Sequence, residues 1–348
     1  MNLKDFQKIF NPVLTDIVEQ KLQLSYKTID SLKLQKILNY IRDFVLWWGK
    51  RIRPYLIYIS YKWFGWQDDN EILKLASGFE LWHAFALIHD DIMDQWETRR
   101  NIKTYHKYIQ SITKNSKSQH YAISQAILMW DLIFSWANEI IFDDYNSLNN
   151  QKLNEIRKDY LEMSRETIFG QIIDVSLTIT SKVKKQDLDK KNYLKTSKYS
   201  FIKPMMVWSQ LWWISSSDLL LIQKWGEYLW SAFQIRDDLK DVLEDSKKTW
   251  KTAFSDVREW QQTVLTYYIS QKGTAKQKEF LDSCMWNDLT TKQISKLKQI
   301  FQDSWAIDYG FSQIKKNLDQ AKIVLFQINF KNISAKNDLE EIIDLIGK

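Results

Sequence analysis

Glu80-Leu81-Trp82-His83-Ala84-Phe85-Ala86-Leu87-Ile88-His89-Asp90-Asp91-Ile92-Met93-Asp94 is an apolar run at helical spacing that ends in three aspartates. Asp90 and Asp94 stand four residues apart and share one helix face. Two carboxylates one turn apart repel each other unless a cation sits between them. Hard divalent cations such as Mg2+ take oxygen ligands and usually complete their shell with substrate phosphates. The pattern returns at Asp237-Asp238-Leu239-Lys240-Asp241, behind the apolar segment Ala232 to Ile235. Two such clusters facing each other would hold several Mg2+ ions and one diphosphate.

The rest of the chain reads as the scaffold for those clusters. Its 348 residues are enough for a large core, and only 3 Pro and 8 Gly argue for long, little-interrupted helices. Apolar residues recur with a period of about 3.6. The expected helices run over 3–24, 28–46, 53–64, 70–94, 119–145, 151–181, 187–214, 217–244, 255–271, 290–302 and 305–328, with a short one near 336–346. Residues 110–118 are polar and read as a surface loop, and 182–191, with five Lys and two Asp, as a solvated connection. No repeat, linker or low-complexity block divides the chain. The expectation is one all-α domain over 1–348.

Composition removes several function classes. A lone Cys284 excludes an internal disulfide and a Cys-based zinc site. The net charge of +6 is spread among 43 acidic residues, with no basic arm suited to nucleic acid. Met1 to Phe10 is charged and amphipathic, without the apolar core of a signal peptide. No uncharged run approaches the ~20 apolar residues of a membrane span. The expected location is the cytoplasm.

Further motifs stand in order around the two clusters: Gly49-Lys50-Arg51-Ile52-Arg53-Pro54, Arg99-Arg100-Asn101, Gly170-Gln171-Ile172-Ile173-Asp174, Lys195-Thr196 and Phe233-Gln234. A lone DDxxD is weak evidence, but this ordered series, from about residue 45 to 265, closely resembles the trans-isoprenyl diphosphate synthases, or polyprenyl synthetases. The resemblance implies antiparallel helices around a deep central cavity, three Mg2+ per active site, and a homodimer. It also implies head-to-tail condensation: an allylic diphosphate ionises, its carbocation alkylates isopentenyl diphosphate, and a proton is lost. The residue chemistry fits, because metals and Arg/Lys stabilise a departing diphosphate and an apolar cavity keeps water from the cation.

Carried over residue by residue, the resemblance makes Asp90 and Asp94 ligands of a Mg2+ pair, with Asp91 behind them. It makes Asp237 the ligand of a third Mg2+, supported by Asp238 and Asp241. Lys50, Arg53, His83 and Arg100 match the isopentenyl diphosphate pocket. Arg99, Lys195 and Lys251 match contacts to the allylic diphosphate. Thr196, Gln171 and Gln234 match polar residues near the developing cation. The released diphosphate takes the final proton, so no protein base is assigned. His83 is read as a ligand, not a satisfied core histidine. His89 is read as structural, Arg51 as pointing away from the pocket and Lys240 as facing solvent.

Residues one turn before Asp90 are expected to line the cavity and stop chain growth. Phe85 with Ala86 resembles geranylgeranyl-type enzymes, and the expected product has 20 carbons, with C15 and C25 next. The bland alternative is that Phe85 packs between helices and a deeper residue forms the floor. Competing functions are a class I terpene cyclase, which usually lacks the second DDxxD and the isopentenyl pocket, and a non-catalytic partner subunit, which tends to lose an Asp cluster. A di-iron bundle needs Glu-x-x-His on facing helices, and Glu80 to His83 is the single match.

The chain has 17 Trp against 8 Gly, although Gly is ordinarily about 7% of residues. Trp48, Trp96, Trp130, Trp230, Trp250 and Trp260 fall where the family carries glycine. Trp48 and Trp250 stand in loops beside diphosphate ligands, where positive φ or close backbone approach favours Gly. An indole at 230 would overpack a helix contact. The expectation is that many of these are UGA codons read as glycine by the source organism.

Overall fold

A computed structural model describes the chain except residues 30, 48, 64–68, 100, 101, 114–116, 147–149, 181, 182, 210–214, 244–253, 259, 260, 262, 286–288, 330–332 and 348. Among the described residues, regular structure is helical apart from one two-stranded antiparallel ribbon, so the chain is all-α. The chain forms two compact units. One comprises Met1–Asp159, Val207–Trp212 and Lys331–Asp338, the other Tyr160–Met206, Trp213–Phe330 and Leu339–Lys348.

The first unit contains α1 (Leu3–Thr28), α2 (Leu32–Leu46), α3 (Ile52–Trp63), α4 (Asp69–Met93), the ribbon β1 (Thr98–Arg99) and β2 (Ile102–Lys103), α5 (Tyr105–Ile112) and α6 (Ser118–Ile141). Helix α1 starts where the Asn2 side chain accepts the Asp5 N–H at 2.9 Å. It buries Phe6, Phe10, Leu14, Val18 and Leu22, a stripe at four-residue spacing. Helix α4 is the unit's central element: it is buried on nearly every side from Ile72 to Ile88 and packs on α1, α3 and α6. Gly78 permits the close approach of α6, since a Cβ there would lie 2.8 Å from Ile141 Cδ1. In the ribbon Thr98 pairs with Lys103 and Arg99 with Ile102, and Tyr40 Oη of α2 donates to the Lys103 carbonyl at 2.7 Å.

Helix α7 (Asn150–Leu177) contributes residues to both units. The second unit continues through α8 (Lys185–Asn192), a π-helical stretch (Tyr193–Ile202), α9 (Lys203–Ser209), whose last residues belong to the first unit, and α10 (Ser216–Leu243). It goes on with α11 (Ser255–Arg258), α12 (Val264–Lys272), α13 (Ala275–Cys284), α14 (Thr291–Asp303), α15 (Ala306–Gln327) and α16 (Ile333–Gly347), whose first residues belong to the first unit. Helix α10 packs on α15 and on the π-helical stretch.

Several expected boundaries change. Residues up to Ile112 are helical because Tyr105 and Ile109 bury one face of α5, so the loop read over 110–118 begins later. The single helix expected over 187–214 is three segments with π geometry in the middle. The solvated connection read over 182–191 is corrected: Lys185–Asn192 is helical, and Leu188 and Lys191 are buried. Helix α13 was not expected, although Thr274 and Gln277 form the capping box that starts it. A second box, at Thr263 and Thr266, starts α12 and divides the expected 255–271 helix. Cys284 is buried and free. Among the described residues, no helix is long and apolar enough to cross a membrane.

Candidate active site

The first aspartate cluster closes α4. Asp94 donates its N–H to the Asp90 carbonyl at 2.8 Å, which completes the last turn, and Gln95 then leaves the helix in a left-handed conformation (φ 54°). Asp90 and Asp94 are half-buried, while Asp91 turns inward and is 1% exposed. Arg99 of β1 donates Nε to Asp91 Oδ1 at 2.7 Å. Burial pushes the Asp91 carboxyl up to about 6, against the opposing pull of the Arg99 guanidinium. The cluster is thereby sorted into one carboxylate that anchors the ribbon and two on the more open side.

Arg51 organises the Lys50-to-Arg53 segment. Its backbone is left-handed (φ 55°), a costly conformation for a residue with a Cβ. Its buried guanidinium has acceptors on several sides: Glu80 Oε1 at 2.6 Å, the Val45 carbonyl at 3.0 Å and Asn11 Oδ1 at 3.2 Å. A Cβ at Gly49 would lie 3.0 Å from Arg51 Nη1, so glycine leaves room for that group. Arg51 therefore ties the end of α2 to α4, and it lines the same pocket as His83. Lys50 is exposed and Arg53 is half-buried in the first turn of α3. A pocket in this unit is lined by Phe44, Trp47, Arg51, Glu80, His83 and Arg99, among others. It unites His83 with Arg99, two side chains that the sequence reading had assigned to different diphosphates. Arg100 lies outside the described residues.

In the second cluster, Asp237 is half-buried and Lys240 exposed. Asp238 is buried and accepts Gln234 Nε2 at 2.8 Å. Asp241 is also buried, and its Oδ2 accepts the Asp256 N–H at 3.1 Å at the start of α11. Lys251 lies outside the described residues.

The Gly170-to-Asp174 motif and the Lys195-Thr196 pair meet within the second unit. A Cβ at Gly170 would run into the backbone of Leu194 and Lys195, so glycine lets the π-helical stretch lie directly on α7. One turn on, Asp174 Oδ2 receives Lys195 Nζ at 2.5 Å and Oδ1 receives Lys191 Nζ at 3.0 Å. Burial alone would raise the Asp174 carboxyl, but the two ammonium groups overcome it and hold it down at about 2. Thr196 and Gln171 are half-buried. Lys191 is a partner that the sequence reading missed; its signal was a lysine four residues before Lys195, one helical turn away.

Phe85 is buried against α6, with ring centroids 4.8 Å from Phe134 and 4.6 Å from His89, and Ala86 is half-buried. The Phe85 ring thus lies between helices, the arrangement of the bland alternative. His89 belongs to the same aromatic packing. Trp96 is half-buried and donates Nε1 to Asp94 Oδ2 at 3.4 Å, and Trp230 is buried beside Phe233. Trp48, Trp250 and Trp260 lie outside the described residues.

The family model for polyprenyl synthetase matches residues 33–304, more than half of the chain. The chain belongs to the polyprenyl synthetase family. A geranylgeranyl diphosphate synthase of Sulfolobus acidocaldarius is 26% identical over 291 residues, covering 82% of this chain and 82% of that protein. A geranylfarnesyl diphosphate synthase of Aeropyrum pernix is 26% identical over 304 residues, covering 86% and 89%. In fold, the chain is similar to a geranylgeranyl pyrophosphate synthase of Corynebacterium glutamicum solved with isoprenyl diphosphate and magnesium. That likeness has a TM-score of 0.88 at 24% identity and covers 97% of this chain and 98% of that one. As a polyprenyl synthetase, the protein is a trans-prenyltransferase.

The donor set suits Mg2+. Asp90 and Asp94 offer hard carboxylate oxygens from one helix face. Among the described residues, no three His, Cys, Asp or Glu side chains gather to hold a metal by themselves. Mg2+ ordinarily binds through one or two carboxylates and completes its shell with water and substrate phosphate.

Proposed function

We propose that the protein condenses isopentenyl diphosphate head-to-tail with allylic diphosphates to give a linear all-trans prenyl diphosphate of 20 carbons. The observation that carries this reading is the sorting of the first cluster: Asp91 is withdrawn onto Arg99, and Asp90 and Asp94 stand half-buried one turn apart. Product length rests on the small Ala86 beside the inward-packed Phe85, with C15 and C25 next.

Asp90 and Asp94 would hold the Mg2+ pair, and Asp237, supported by Asp238 and Asp241, the third ion. When bound, Mg2+ neutralises charge on the departing diphosphate. Lys195, Lys251 and Arg99 add cationic contacts to the same group, and Lys50, Arg53, His83 and Arg100 hold isopentenyl diphosphate. Thr196, Gln171 and Gln234 would stabilise the developing cation electrostatically. The released diphosphate accepts the final proton. We read both compact units as parts of one synthase domain, because the family match runs through both.

A homodimer is part of the proposal. The α7 residues Leu161, Ile168, Phe169, Ile172 and Val175 form one exposed apolar stripe, an uncommon surface for a monomer. Sedimentation at micromolar protein tests it, and a monomer would count against it.

The test of function is incubation of purified protein with dimethylallyl and isopentenyl diphosphates and Mg2+, followed by sizing of the dephosphorylated products. A Mg2+-dependent C20 alcohol supports the proposal. No elongation by folded protein would favour the non-catalytic partner subunit. A cyclic hydrocarbon from longer allylic diphosphates would favour the cyclase.

A further inference from the structure

Asp174 carries two ammonium groups on its two oxygens, Lys195 at 2.5 Å and Lys191 at 3.0 Å. Both Asp174 and Lys191 are buried, with side chains 6% and 9% exposed, while Lys195 is 20% exposed. A buried carboxylate stripped of its only partner is strongly disfavoured. With a single lysine, Asp174 would therefore hold that lysine back from any anion. With two, one can leave while the other keeps the carboxylate paired.

We propose that Lys191 and Asp174 are positioning residues: Asp174 aims Lys195, and Lys191 takes over the carboxylate when Lys195 turns to the allylic diphosphate. The inference rests on the reading of Lys195 as a contact to that diphosphate. The π-helical stretch serves the arrangement. Its wider turn carries Lys195 at its third residue, while Lys191, in the last turn of α8, reaches the same acceptor. Gly170 fixes the distance between α7 and that stretch. With both lysines in place, their ammonium groups outweigh burial and hold the Asp174 carboxyl below its usual range. No bond is made or broken; one charge-assisted hydrogen bond moves from carboxylate to phosphate.

The test compares wild type, K191M and K191R for binding of an unreactive thio-analogue of dimethylallyl diphosphate with Mg2+, by calorimetry. KM for each substrate and thermal unfolding are followed alongside. K191M is expected to weaken analogue binding and raise the allylic KM about tenfold. The isopentenyl diphosphate KM and the unfolding temperature stay near wild type, and K191R restores binding. Unchanged analogue binding in K191M overturns the proposal. An equal rise in both KM values together with lower thermal stability also overturns it, since that is the signature of a merely structural lysine. A wild type that binds the analogue in a Lys191-dependent way but makes no prenyl product sinks the proposed condensation and leaves this inference standing. A wild type that does not bind the analogue sinks both.

A different observation carries a second inference. The His89 and Trp130 ring centroids are 2.9 Å apart, whereas aromatic pairs pack about 4.5–7 Å apart. An imidazole and an indole cannot both fill that space. Trp305 has a left-handed backbone (φ 64°), which favours glycine, and its indole is 68% exposed. The indole N–H groups of Trp225 and Trp230 are buried without a hydrogen-bond partner. The geometry points to glycine at 130 and 305 in the protein as its own cell makes it, through UGA codons read as glycine. Tandem mass spectrometry of peptides from the native protein is expected to show glycine at both positions, encoded by UGA. Tryptophan in those peptides, or UGG codons, would overturn the inference. Recombinant W130G is expected to unfold at a higher temperature than the tryptophan form, and a lower temperature would also count against it.

Discussion

Arg51 Nη1 lies 2.6 Å from Glu80 Oε1, a buried ion pair that joins the Lys50-to-Arg53 segment to the helix bearing the first aspartate cluster. Removing one partner leaves an unpaired charge in the interior. E80A is therefore expected to destabilise the fold by about 3–5 kcal/mol, measured by urea denaturation. A loss below ~1 kcal/mol, the range of an exposed pair, would show that the pair is solvated in solution.

Asp90 and Asp94 are expected to matter for catalysis and little for stability, because both are half-buried at a helix end. D90N and D94N should each lower kcat/KM at least a hundredfold, about 3 kcal/mol of transition-state stabilisation, with unfolding temperatures near wild type. Chelation of divalent ions should abolish product formation by wild type, and added Mg2+ should restore it. Activity in EDTA equal to that with Mg2+ would refute the metal assignment.

Neighbouring residues on α4 should separate product length from packing. A86F places a ring at the half-buried position and is expected to shorten the product to C15, read by chromatography of the dephosphorylated alcohols. F85A removes a ring packed on His89 and Phe134 and is expected to cost about 3–5 kcal/mol of stability. A shift to longer products in F85A without loss of stability would return Phe85 to the cavity floor.

Asp174 gives a pH dependence of defined sign. Its carboxyl is held down at about 2 against an ordinary 3.8, so its stabilising contribution is present above about pH 4 and lost as pH falls through 2. The shift corresponds to roughly 2 kcal/mol. Wild type should lose that increment relative to D174N between pH 4 and pH 2 in denaturant titrations. Parallel curves for the two proteins over that window would show that Asp174 is not ion-paired.

The all-α class, the long helices and both aspartate clusters were legible because each is a local property: spacing on one helix face, scarcity of breakers, apolar runs before the carboxylates. Helix α13 was missed although its Thr274–Gln277 capping box was present, because its amphipathic pattern is short. The sequence reading took Lys191 for part of a solvated lysine run, because a count of charges does not reveal which lysine finds a buried acceptor.

By itself the sequence determined the fold class, the family-like order of motifs and the residue types able to hold a diphosphate through metal ions, since these follow from spacing and chemistry along one chain. Only the tertiary structure decided which aspartate of the first cluster turns inward to Arg99, that His83 and Arg99 line one pocket, and that Asp174 gathers Lys191 and Lys195. The packing of one helix on another sets those partnerships, as where Gly170 lets the π-helical stretch lie on α7, and a residue's neighbours across such a contact leave no trace in its own local pattern.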